Sequence, residues 1–189
     1  MRINFKRMMA ALVAVAVLAT GSVFASPPTP SRESSAYLSE RASTLLTEIQ
    51  KEAAQLGPHA DTLGTFARHP QYSWQSHAFY LERVKGHINA VGERTAELRQ
   101  IRDSVLPWQQ QAISEVTSHA AQVAASTQAA ILHLRENQNR LFVSEYRRHL
   151  TTVADSADDI KQTVDKFLDY EKAKQNYDEA QQELEVTGD

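Results

Sequence analysis

Apolar residues recur at alternating steps of three and four along nearly the whole chain from residue 36 onward. That spacing lays a stripe on one face of a helix and constrains the fold more than any other feature. The first stripe runs Leu38, Ala42, Leu45, Ile49, Glu52 and Leu56, with one charged member, and Gly57-Pro58 reads as its stop. The second opens after Ser73, a good N-cap with Tyr72 before it. It runs His77, Leu81, Val84, Ile88, Val91, Thr95 and Leu98, completed by Ile101 and Val105. Pro107 suits the first turn of a third helix, where its missing N–H costs nothing, and Ile113, Val116, Ala120, Val123, Thr127, Ala130 and Leu134 keep the rhythm. The fourth begins near Ser144 and carries Tyr146, Leu150, Val153, Ala157, Ile160, Val164 and Phe167.

No run of alternating β-branched or aromatic residues between turn formers competes with this pattern. Four amphipathic helices with mainly short turns bury their stripes most economically against one another. The expected fold is therefore all-α, an antiparallel up-down four-helix bundle over residues 36–186, with helices near 36–56, 74–105, 107–137 and 144–185. The longest connection, Gly57 to Tyr72, is expected to lay a helical turn or two across one bundle end. Past Phe167 the stripe shifts one step to Tyr170, Ala173, Tyr177, Ala180 and Leu184, giving a long C-terminal helix whose Gln- and Glu-rich end should project or fray.

Residues 1–25 read as a Sec-type signal peptide. Arg2, Lys6 and Arg7 form a positive start, Met8 to Leu18 is an unbroken apolar run, and Val23-Phe24-Ala25 before Ser26 is a small-residue cleavage site. A retained anchor is the competing reading, but the apolar core is short, Ala-rich and broken by Gly21, so no stable membrane anchor is expected after cleavage. Residues 26–35, rich in Ser and Pro, read as a disordered tether. The protein is thus expected to be periplasmic or secreted, in a Gram-negative-like setting.

Composition narrows function further. The chain has no Cys, which excludes disulfides, thiolate chemistry, Cys-ligated metals and lipid attachment at an N-terminal cysteine. Removing Arg2, Lys6 and Arg7 with the leader leaves 17 basic against 23 acidic side chains, a net of −6, which argues against a nucleic-acid partner.

The seven His, at positions 59, 69, 77, 87, 119, 133 and 149, contain no pair three or four residues apart, and no Glu is followed three residues later by His. Local metal motifs are therefore missing. In the heptad register His77 falls in the core stripe, whereas His87, His119, His133 and His149 fall on its flank. Antiparallel pairing then brings His77, His133 and His149 toward one bundle end, with the charged stripe residue Glu52 expected there too. Glu52 and His77 would form a core hydrogen bond; the alternative is that all four line an interhelical metal or haem site. No cofactor is assigned. The carboxylates Asp155, Asp158, Asp159, Asp165 and Asp169 lack the spacing of a calcium loop and read as a solvated face. Trp74 and Trp108 are expected to plug opposite ends of the core, and Thr95 and Thr127 to bond their own helix carbonyls.

The stretches Ser73-Trp74-Gln75-Ser76-His77-Ala78, Lys85-Gly86-His87-Ile88-Asn89, Pro107-Trp108-Gln109-Gln110-Gln111-Ala112 and Leu168-Asp169-Tyr170-Glu171-Lys172-Ala173-Lys174 resemble a family of small secreted bacterial helical proteins without assigned activity. The resemblance implies export and helicity, and no chemistry. In outline the chain is also similar to cytochrome b562, but its three Met, at positions 1, 8 and 9, all lie in the leader, so a Met-His haem ligation fails. The reading from sequence is a non-enzymatic exported bundle acting as an envelope interaction, scaffold or stress-adaptor protein. Its expected partner is another protein, or a second copy bound through helix four.

Overall fold

The computed structural model describes residues 32–187, and the expected signal peptide and most of the Ser/Pro-rich segment lie outside the described residues. It is an all-α, antiparallel four-helix bundle. Its elements are α1 (Arg32–Phe66), α2 (Trp74–Ile101), a short 3₁₀ turn (Arg102–Ser104), α3 (Pro107–Glu136) and α4 (Ser144–Thr187). Helix α1 packs on α2 and α4, and α3 packs on α4 and α2, so the four run round a square. The stripes read from sequence meet inside it, with Leu45, Leu46, Ile49, Leu98, Ile113, Leu150 and Ile160 all sealed from solvent. No helix of the described residues is long and apolar enough to cross a membrane.

Three boundaries depart from the sequence reading. Helix α1 starts at Arg32, so the last part of the expected tether, residues 32–35, is helical. Helix α2 gives way after Ile101 to the 3₁₀ turn, leaving Val105 extended. The largest departure is at Gly57-Pro58, which does not stop α1; Pro58 lies inside a 35-residue helix. The stripe explains this. Ala53, Leu56, Ala60, Leu63 and Ala67 continue it across the proline and are all buried, while Ala54 and Pro58 face solvent. Water can therefore take the Ala54 carbonyl that a proline four residues later leaves unbonded, and the packing of the buried face outweighs the local cost. Pro58→Ala should raise stability by about 1–3 kcal/mol in urea unfolding, because an interior proline costs roughly 3 kcal/mol relative to alanine in a regular helix.

Buried polar groups fix the bundle's register at the end where α3 begins. Gln109 is fully buried, and its Nε2 donates to the Ser39 carbonyl at 2.8 Å and to Ser43 Oγ at 3.1 Å. Its Oε1 accepts from Ser39 Oγ at 2.8 Å and from the Leu106 N–H at 3.2 Å, which also caps α3. Ser43 Oγ in turn donates to Glu171 on α4 at 2.8 Å. Three helices are thus tied through one carboxamide.

The two mid-bundle threonines behave differently. Thr95 Oγ1 donates to the Val91 carbonyl at 2.7 Å, as expected, but the buried Thr127 Oγ1 has no partner. A buried hydroxyl left unpaired costs about 1–3 kcal/mol, so the isosteric Thr127→Val should stabilise the fold by about 1 kcal/mol in the same unfolding assay. Gly86 and Gly92 are open sites, since an added Cβ would meet no atom within 4 Å.

Candidate functional site

The end of the bundle closed by the α1–α2 and α3–α4 turns holds a cluster of aromatic and imidazole rings. His77 projects from the first turns of α2, where Ser73 caps the helix by accepting from the Ser76 N–H. It is 1% exposed. Its Nδ1 lies 3.1 Å from the hydroxyl of Tyr146, which stands at the start of α4 and is itself 0% exposed. Among the described residues the Tyr146 hydroxyl has this one partner, so its proton is best placed on the bond to Nδ1, which leaves the His77 proton on Nε2. His77 sits edge-on to Phe66 at 5.7 Å, and Phe66 stacks on Tyr72 at 4.2 Å. Burial holds the His77 imidazole down to a pKa of about 4, so it is neutral at ordinary pH, and burial pushes the Tyr146 phenol up.

His133 stacks on the other side of the cluster, with its ring 5.2 Å from Tyr146 at 21°. His133 and His149 line one hollow of about 520 Å³ between the end of α3 and the start of α4, with Glu136, Arg140 and Glu145 at its walls. His149 is held below its ordinary pKa, first by burial and then by Arg148. Three of the four residues proposed from sequence therefore gather at one end, His77 and His133 against Tyr146 and His149 across the hollow from His133.

Glu52 does not join them. It lies part-way down the bundle and bonds His87 Nδ1 at 2.7 Å, while His87 stacks on His59 at 5.5 Å. The reason is the course of α1. Because the helix continues to Phe66, its antiparallel register with α2 sets Phe66 beside Tyr72, His59 beside Tyr80 and Glu52 beside His87. Burial first, then the charges of His87 and Arg83, lowers the His59 pKa. Neither the four residues proposed nor any other group of three or more His, Asp or Glu among the described residues is arranged to hold a metal ion. Sequence reasoning missed Tyr146, which joins His77 to His133. The signal available was its place as the first apolar member of the α4 stripe, opposite His133 in the α3–α4 pairing.

At the other end, Trp108 packs against Phe167 at 6.3 Å and Tyr170 at 5.8 Å, with its buried Nε1 unpaired. Since Trp108 is near the start of α3, residues of α4 past Tyr170 run beyond that helix. Gln50–Asp165 and Ser43–Glu171 set the α1–α4 register, and continuing it brings Tyr37 level with Tyr177. Both are largely in solvent, at 67% and 63% exposed. Tyr170 and Leu184, one heptad to either side of Tyr177, are 51% and 73% exposed.

No family model, no curated protein and no solved structure matches this chain.

Proposed function

We propose that this is an exported, non-enzymatic helical-bundle protein that works by contact, as an envelope interaction or scaffold protein whose docking element is the projecting end of α4. The observation that carries the reading is the pair Tyr170 and Tyr177, two large side chains exposed at heptad spacing on a helix that outruns α3, with Tyr37 of α1 exposed at the same level as Tyr177. Aromatic residues presented at this spacing suit burial against a further helix, and aromatic anchors dominate the energy of such contacts. The rest of the helix surface there is Gln- and Glu-rich, which keeps the exposed run from being a site of indiscriminate adhesion. Arg2, Lys6 and Arg7 ahead of the apolar run at Met8–Leu18 support export.

Sedimentation equilibrium tests the self-associating form directly. A mass that rises with concentration, and an association weakened at least about tenfold by Tyr177→Ala, are the expected results, since hot-spot aromatics contribute about 2 kcal/mol or more. An association indifferent to Tyr37→Ala and Tyr177→Ala together would remove α4 as the docking element. Intact-mass measurement of protein recovered from a periplasmic extract should give a chain beginning at Ser26; an uncut chain would count against export by cleavage.

A further inference from the structure

Between the two turns at the histidine end lies a cavity of about 290 Å³, whose walls include Phe66, Tyr72, Trp74 and Phe142. This is the lower end of the range for ligand pockets, roughly 300–1,000 Å³, and suits a molecule of about one or two rings. His77 also lines it. Its Nδ1 is taken by Tyr146, and its Nε2 makes no hydrogen bond among the described residues. Among the described residues the polar side-chain atoms that are both sealed from solvent and unpaired are Trp108 Nε1 and Thr127 Oγ1, so Nε2 is not sealed in, and the cavity that His77 lines is the opening the structure offers it. With the Tyr146 proton on Nδ1, Nε2–H is a donor held rigidly in a side chain 1% exposed. With no protein acceptor bonded to it, that donor is left to whatever occupies the cavity.

Charge narrows the ligand. No Asp, Glu, Lys or Arg lines the cavity, and its polar lining besides His77 is the amides of Gln71, Gln138 and Asn139 together with Ser73 and the exposed His69. Apart from the exposed His69, no lining side chain could pair a full charge, so a charged guest is disfavoured. Aromatic walls, a fixed imidazole donor and neutral amides together define one class of guest. We infer that this cavity binds a small, uncharged aromatic molecule whose hydrogen-bond acceptor, a carbonyl or an ether oxygen, takes the proton of His77 Nε2.

The test uses the isotope-labelled whole chain and three probes of similar size: acetophenone, which has an acceptor; toluene, which has none; and benzoate, which is charged. The indole N–H signal of Trp74 reports on the cavity, and that of Trp108, at the opposite end, serves as the internal control. Acetophenone should shift the Trp74 signal and leave Trp108 in place, and toluene and benzoate should each bind at least about tenfold more weakly, which is the effect of one lost hydrogen bond or one unpaired charge. His77→Phe should erase the preference for acetophenone over toluene. Phe142→Glu, at a half-exposed wall position where the fold is not at stake, should abolish binding of acetophenone. A Trp74 signal unmoved by tens of millimolar acetophenone would overturn the inference. So would equal binding of toluene, tighter binding of benzoate, or a Phe142→Glu chain that binds as before.

Discussion

Between pH 6.5 and pH 4 the bundle should lose about 3 kcal/mol of stability through His77 alone. The imidazole is driven below its ordinary value by burial, so in this window the unfolded chain holds a proton that the folded chain refuses. Folding is then favoured fully above pH 6.5, where both states are neutral at this residue, and the advantage drains away as the pH falls toward 4. The groups that face the ring do not offset this. Tyr146 bonds the neutral form from α4, Phe66 covers it from α1, and His133, stacked on the far side of Tyr146, brings no negative charge. His59 and His149, both lowered chiefly by burial, push in the same direction. Urea unfolding at about pH 7.5 and about pH 4.5 measures the effect, and His77→Phe should flatten the difference by most of this amount. A parent protein equally stable at both values would show that the ring is not buried in solution.

The second large effect is expected at Tyr146. Its ring is among the largest side chains fully withdrawn from solvent, and it is wedged between His77 at 5.5 Å and His133 at 5.2 Å. Tyr146→Ala should cost about 3–5 kcal/mol, the range for emptying a buried aromatic site, with a further contribution of about 1 kcal/mol from the stranded His77 nitrogen. Tyr146→Phe keeps the volume and loses the hydroxyl, so it should cost only about 1–2 kcal/mol. Thermal unfolding separates the two, and equal losses would mean that the hydrogen bond, and not the packing, holds this end together.

The stripes made the architecture legible because a helix in a small bundle has one way to bury a three-four pattern, and nothing else in the chain contests it. Gly57-Pro58 was misleading for a local reason. The stop signal is a statement about an isolated helix, and whether it is obeyed depends on which face the proline occupies. Here Leu56, Ala60 and Leu63 continue the buried face, a cue present in the sequence but outweighed by the dipeptide. That one misreading displaced Glu52. Treating residues 57–72 as a connection removed the register between α1 and α2, and without it the carboxylate went to His77 and not to His87. The convergence of His77, His133 and His149 survived because the α2–α3 and α3–α4 connections are both short, and a short turn fixes which residues lie opposite each other. The role of Tyr146 was hidden because a tyrosine in an apolar stripe looks like any other core residue until its hydroxyl finds a nitrogen.

The carboxamide of Gln109 has one more consequence. Greasy seams are forgiving: a rod can slide along its neighbour by a full turn and find new grooves nearly as good as the old ones. An amide with both its hydrogens and its oxygen committed to Ser39, Ser43 and Leu106 cannot make that slide without surrendering every one of those bonds in a dry place. It works as a ratchet pawl, tolerating variation in what surrounds it while forbidding the shifted alternatives, and so it keeps a molecule built almost wholly of interchangeable aliphatic contacts in a single alignment.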